Sequence, residues 1–462
     1  MSTVTLARIA LPEASARLPQ VTVSSSVFRQ RCAAAYERSG VDWLAVYGDR
    51  EHAGNMHYLC GFDPRFEEAL LLLGPSGRVV LLAGNEGIVY GAITPDFVDV
   101  ELAQTFSLMG QDRGQAARLD TCIKSIGVRQ GDQVGLVGWK YLEQREADDQ
   151  TDVTGDGFYV PSHVVSVLTH CAGSAPRDKT SVFMSPQDGL RSISTAAQIA
   201  EHTRAAINVS GAVFDVINHA RPGVSEFELA RRSGGHAADT LSIHPILASG
   251  PSGLNGLRSA SERVLEGGDA IVHAVGHRYA LTCRAGLVAD AKQHEQYSSY
   301  LDELVFPYFG AISAWLMTAK DGVVGGDLWS VIDKQLEPSS FRSALNPGHL
   351  VGYEEWTHSP VRPGSADTLR SGMVMQLDII PSTVKAGWAT NCEDTVAIAN
   401  RDLRDQLARE FPAAWASIVQ NRRYLSDVFG IETSEDLLPL SPTTGFLPPF
   451  WLSPQSACVE RG

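Results

Sequence analysis

Three pieces of sequence decide the fold: LNPGHLVGYEEWTHSP at 345–360, RSGMVMQLDIIPS at 370–382 and GWATNCEDTV at 387–396. Glycine or proline bounds each piece. The first reads as a glycine-flanked turn and the other two as β-strands. The residues that stand out in them are a histidine, His349, and two carboxylates, Asp378 and Glu393. Side chains of these types bind a divalent metal, hold a cationic substrate or transfer protons. An earlier strand pair, GDAIVHAVGHRYALTCRAGLV at 268–288, adds His273 and Arg284. Whether these five residues enclose a metal is the question the sequence poses.

At 462 residues the chain is longer than one hydrophobic core usually supports, so two domains are expected. With 44% hydrophobic and 20% charged residues it has the composition of a soluble globular protein. The net charge of −15, spread without acidic runs, argues against nucleic acid or an anionic membrane as the main partner. Seven scattered cysteines without CxxC spacing indicate neither a disulfide framework nor a structural zinc site. No apolar run reaches membrane-spanning length and the first residues lack a signal-peptide pattern, so a cytoplasmic location is expected.

Read in order, residues 1–20 form an N-terminal arm and 21–184 a small α/β domain. In that domain a helix over VFRQRCAAAYERSG precedes the strand VDWLAVYG. MHYLCGF reads as a further strand, and EEALLLLGPSGRVVLLA as a hairpin turning at GPSG. The Pro/Gly/Ser segment SPQDGLRSIS at 185–194 is the expected linker. From 195 to 430, long helices mix with antiparallel-looking strands, which makes the chain α+β overall. Ser225 caps a helix after the RPG turn. The Pro-rich tail, 431–462, is expected on the surface or against a partner subunit rather than in the core.

The order of SPQDGLRSISTAAQIAEHTRAA, RPGVSEFELA, ASGPSG, the strand opening at GD, GHLVGYEE, SGMVMQLDIIP and CEDTVAI resembles the creatinase/prolidase/aminopeptidase P family over nearly the whole chain. The resemblance implies a creatinase-type N-terminal α/β domain followed by a C-terminal pita-bread domain. It also implies a homodimer whose N-terminal domain reaches the neighbouring active site, where Arg65 would help bind substrate. In metallopeptidases of that family two Asp on the first strand pair, a His, a Glu and a last Glu hold two divalent ions. Placed on that pattern, His273 and Arg284 stand at the paired Asp, followed by His349, Asp378 and Glu393. A guanidinium has no lone pair and repels a cation.

The expectation is therefore a metal-independent, creatinase-like enzyme without a cofactor. It would hydrolyse a C–N bond of a small polar amine, amide or guanidino compound, with a lyase or rearrangement left open. His349, Asp378, Glu393 and His273 form the expected catalytic set; Arg284, Arg65, Trp356 and His358 the substrate-binding set. His349 would act as general acid/base and Trp356 as an apolar wall. Two features depart from the family pattern. The loop ASGPSGLNGLRSAS lacks creatinase's histidine, and Trp356 stands seven residues after His349, where metallopeptidases carry a second His. Cys283 and Cys392, adjacent to site positions on strands, are expected to turn to the opposite face. The alternatives are a metal-dependent Xaa-Pro aminopeptidase or dipeptidase, with one divalent ion such as Mn, and a catalytically inactive pita-bread binding module.

Overall fold

A computed structural model describes residues 3–14, 17–143, 157–234, 240–250 and 257–461. Two compact units emerge: Thr22–Ser192, and Ile193–Gly462 together with Met1–Val21. The first strand, β1 (Thr3–Arg8), thus belongs with the C-terminal unit.

In the N-terminal unit, β2 (Trp43–Gly48), β3 (Ala69–Leu73), β4 (Val79–Ala83), β5 (Asp99–Leu102), β6 (Val134–Val137) and β7 (Arg177–Asp178) form one sheet in the order β5-β4-β3-β2-β6-β7. Along β2, Trp43, Ala45 and Tyr47 enter one buried cluster, and Leu44 and Val46 enter another. Both faces are covered, which is why ALLLL and VVLLA are unbroken apolar runs. MHYLCGF is not a strand: Gly54–Cys60 is helical. Met56, Leu59 and Cys60 are buried at a spacing of three and four, which a helix places on one face.

In the C-terminal unit the helix Ala196–His219 starts at a capping box. Thr195 accepts from the Gln198 backbone, and the Gln198 side chain accepts from the Thr195 N–H at 3.1 Å. Ser225 and Glu228 repeat the device ahead of Glu226–Gly234. The long helix packs on β9 (Ala270–His277) and β10 (Ala280–Leu287), which follow β8 (Ile246–Ser249). With β11 (His349–Leu350), β12 (Val374–Leu377), β13 (Asn391–Ile398) and β14 (Leu437–Pro439) these strands make a sheet in the order β11-β12-β13-β10-β9-β8. β14 also pairs with β13, and every ladder is antiparallel.

The last strand, β15 (Ser456–Arg461), pairs antiparallel with β1 from Thr3↔Arg461 to Arg8↔Ser456. The tail is therefore core material. Leu437, Leu438, Leu440, Phe446, Leu447, Phe450 and Trp451 are buried, because their prolines punctuate short apolar groups that cover the open face of β13 and β10. The part of the ASGPSG loop beyond Gly250 lies outside the described residues. Among the described residues no helix is long and apolar enough to cross a membrane.

Candidate metal centre

Register decides which side chains meet. Cys283 pairs with Glu393 on one side and Ala274 on the other; Arg284 pairs with Cys392 and His273. His349 pairs with Gln376, and Gln376 with Thr395. Partners across a ladder share a face, and successive residues alternate. His349, Gln376, Glu393, Cys283 and Ala274 therefore lie on one face of the sheet. His273, Arg284, Cys392 and Asp394 lie on the other. Asp378, two residues after Gln376, joins the first face.

There the ligand atoms of His349, Asp378 and Glu393 all lie within 4.8 Å of one another, a cluster unique among the described residues. The three residues are 0%, 3% and 5% exposed. The His349 Nδ1 hydrogen-bonds to the Leu350 carbonyl at 3.3 Å, which assigns the ring proton to Nδ1 and leaves a lone pair on Nε2. That Nε2 is buried without a hydrogen-bond partner, 4.0 Å from Asp378 Oδ2. Asp378 Oδ1 is likewise buried without a partner. Gln376 donates through Nε2 to the Leu281 carbonyl at 2.9 Å and to Glu393 Oε1 at 3.4 Å.

The electrostatics are those of acids crowded in a dry site. Burial, reinforced by the charge of Glu355, pushes the Asp378 carboxyl up to about 7. Glu393 is held well above the usual carboxylate range by burial, then by Asp378, Glu355 and Asp394. Burial lowers the His349 imidazole to about 4, so it is neutral at pH 7. Burial and then Glu393 and Asp378 raise the Cys283 thiol.

Sequence reasoning missed Glu355. It sits in a loop that folds back on β11: Leu350 and Val351 are held by His358 and Val374, and the Gly352 N–H donates to the Glu354 carbonyl at 3.0 Å. The fold-back stacks Trp356 on His349, with ring centroids 4.1 Å apart and planes at 19°. Tyr279, at the tip between β9 and β10, has φ of 79°. Its N–H donates to the Gly352 carbonyl at 2.7 Å, and its own carbonyl lies 2.5 Å from His202 Nδ1, so the hairpin tip anchors this loop. The one clue in the sequence was a pair of acids inside GYEEW.

Two expected site residues point away. His273 places Nδ1 2.7 Å from the Ile246 carbonyl and Nε2 3.1 Å from Ser233 Oγ. Arg284 donates to the carbonyls of Phe446 (2.6 Å), Glu393 (2.8 Å), Cys283 and Thr443, and pairs with Asp394. Neither faces the cluster, because a shift of one residue along a strand exchanges the faces. The same shift brings Cys283 onto the cluster face and leaves Cys392 opposite. Trp356 walls the histidine. His358 accepts from the Ser359 N–H at 2.8 Å and is not one of the three clustered residues. Arg65, in the N-terminal unit, is held by Asp63 at 3.2 Å and by the Tyr90 hydroxyl at 3.0 Å.

The donor set fits one divalent cation. A neutral imidazole with an inward lone pair and two carboxylates are suitable ligands, and two of their buried polar atoms have no other partner. A second ion is poorly served, because the same face of the β9–β10 hairpin offers Val272, Ala274, Leu281 and the Cys283 thiol. The hydrophobic side chains there cluster with Ile243 and Ile246.

The sequence profile described as metallopeptidase family M24 matches residues 201–400. No curated protein matches the chain. Among solved structures, the Xaa-Pro dipeptidase from Bacillus anthracis superposes with a TM-score of 0.58 at 17% identity, covering 82% of this chain and 96% of that one. The prolidase from Pyrococcus furiosus gives 0.57 at 18% identity, with 80% and 96% covered. The X-Pro aminopeptidase from Thermotoga maritima MSB8 gives 0.60 at 17%, with 81% and 95% covered.

These findings overturn the expectation of a metal-independent, creatinase-like enzyme without a cofactor. The matching profile is that of metallopeptidases, the similar structures are an Xaa-Pro dipeptidase, a prolidase and an X-Pro aminopeptidase, and the cation assigned to Arg284 lies behind the sheet. What remains is a buried His/Asp/Glu set in the fold of these structures. Residues 201–400 match the M24 metallopeptidase profile, and the chain has the two-domain pita-bread fold of the similar prolidase and aminopeptidase structures.

Proposed function

We propose that the protein is a metal-dependent peptidase of the Xaa-Pro dipeptidase or aminopeptidase type, acting on a small peptide with one divalent ion held by His349, Asp378 and Glu393. The observation that carries this reading is the convergence of the three ligand atoms within 4.8 Å, with His349 Nε2 and Asp378 Oδ1 buried and unpartnered. A bound divalent ion would polarise the scissile carbonyl and acidify a water.

The residues of the chain prepare that site. The Leu350 carbonyl fixes the His349 tautomer, and the Trp356 ring covers the face of the imidazole from solvent. Gln376 steadies one oxygen of Glu393. His349 is in this reading a ligand rather than a free general base. His273 and Arg284 act as structural residues.

The test is metal analysis of protein purified without chelator, joined to hydrolysis of an Xaa-Pro dipeptide. About one equivalent of Mn, Co or Zn with chelator-sensitive activity is expected. Full activity without metal sinks the reading.

A homodimer is part of the same proposal. Its support is the exposed apolar surface of the N-terminal unit around Arg65, where Phe66 is 73% exposed and Val89 80%. Light scattering of the native protein and of Phe66→Asp tests it: a monomer in both would remove it.

A further inference from the structure

One edge of the small β1–β15 sheet is unused. Just past β1, the Ile9 N–H donates to the Gln455 carbonyl at 2.8 Å, so the odd-numbered residues of β1 turn their backbone groups toward β15. The pairing of Leu6 with Cys458 agrees, because the Cys458 N–H points away from β1 and donates to the Leu447 carbonyl at 3.1 Å. Val4, Leu6 and Arg8 therefore turn their N–H and C=O groups outward. Among the described residues nothing hydrogen-bonds to these groups.

The open edge borders a groove of about 510 Å³. Four consecutive residues, Thr5 to Arg8, line it; a strand does this only along its edge, since a face shows every second residue. The opposite wall comes from the segment 291–306. Pro307 has no N–H to continue an α-helical ladder, and the helical run 298–318 contains a π-turn over Leu301–Val305, closed by the Phe306 N–H on the Leu301 carbonyl. Leu301, Asp302 and Phe306 of this wide turn line the groove. Glu303 beside them is held by Lys385, whereas Glu295 and Asp302, both on the groove, form no ion pair among the described residues. Against these two carboxylates the groove sets Arg8, which leaves one negative charge in excess.

We propose that the edge of β1 takes up an extended, basic peptide segment of another protein as a further strand. The outward N–H and C=O groups of Val4, Leu6 and Arg8 supply the backbone bonds, and a lysine or arginine of the segment pairs with Glu295 or Asp302. A lone segment suits the groove better than a second copy of this chain, whose β1 would arrive with its own 291–306 wall alongside it. The surface lies on the C-terminal unit and uses none of His349, Asp378 and Glu393.

Fluorescence anisotropy of labelled peptides on the full chain tests it. TVTVKVT should bind at least tenfold more tightly than TVTVEVT at low salt. TPTPKPT, which keeps the charge but lacks the strand's N–H donors, should bind at least tenfold more weakly than TVTVKVT. Leu6→Pro removes an outward N–H and leaves the ladder to β15 in place, and it should weaken TVTVKVT by a similar factor. Glu295→Gln with Asp302→Asn should bind TVTVKVT and TVTVEVT alike. No binding of TVTVKVT at about 1 mM overturns the proposal. Equal binding of TPTPKPT overturns strand addition whether or not Leu6→Pro folds, and retention of the lysine preference by the double variant overturns the role of the two carboxylates. A dimer in sedimentation that Leu6→Pro dissolves would give the edge to a second copy and overturn the proposal as well.

Discussion

Cys283 lies directly across the sheet from Glu393, while its neighbour Arg284 lies across from Cys392 and reaches Asp394 on the other side. That single step separates the chemistry of this unit from its scaffolding. The thiol stands with the acids of the candidate metal centre. The guanidinium is tied to the buried segment near Phe446, on the opposite face of the sheet.

Arg284 should therefore matter for stability and not for metal. Arg284→Met leaves Asp394 buried without its cation, which is expected to cost about 3–5 kcal/mol of folding stability in urea denaturation. Adding Asp394→Asn should recover part of this loss. The double variant should bind Mn as wild type does; a loss of metal there would return Arg284 to the site.

Metal binding should divide the histidines by face. His349→Gln, Asp378→Asn and Glu393→Gln are each expected to weaken Mn binding at least hundredfold, beyond the 10–100-fold typical of outer-shell partners. His273→Gln should change it little. Calorimetric titration of the four variants decides, and an equal effect of His273→Gln would contradict the face assignment.

Without metal, the acids should make the protein sensitive to rising pH. Burial raises the Asp378 carboxyl to about 7, above its ordinary value near 3.8. The folded state then holds its proton where the unfolded state has lost it, so this group's stabilising contribution falls as pH rises through that window. Metal-free Asp378→Asn should exceed metal-free wild type by on the order of 4 kcal/mol at pH 8, and that gap should shrink to about 1 kcal/mol at pH 4.5. Saturating Mn should reverse the order at pH 8.

In the proposed one-ion reading, the hairpin face limits the number of ions. Val272→Asp with Cys283→Asp adds two carboxylates beside Glu393, and metal content should rise from about one to about two ions per chain, the arrangement of two-metal hydrolases. Unchanged stoichiometry would mean that something other than ligand supply limits the site.

Much of this was legible from the sequence. Glycines and prolines delimited the pieces around His349, Asp378 and Glu393, and the types of those three residues announced a polar centre. The face of each residue was not legible. In AIVHAVGH and ALTCRAGL the polar residues His273, Thr282 and Arg284 look like the functional ones. In fact His273 and Arg284 are satisfied by backbone carbonyls, Ser233 and Asp394 behind the sheet, the Thr282 hydroxyl there has no partner, and the plain Val272, Ala274 and Cys283 face the acids. The partners that settle Arg284, Thr443 and Phe446, belong to a tail whose prolines suggested surface. Glu355 escaped notice because only the fold-back of its loop brings it to the sheet.

The pairing of β1 with β15 carries a consequence for biosynthesis. The N-terminal unit is one continuous run of chain, so everything it needs has been synthesised by Ser192. The unit with the candidate metal centre begins with β1 and cannot close that sheet until β15 has been made. During translation the N-terminal unit is thus free to fold first, with β1 waiting beside it as an unpaired strand. In the proposed one-ion reading, metal capture by His349, Asp378 and Glu393 would then come last, after Arg284 has found the carbonyls of Thr443 and Phe446.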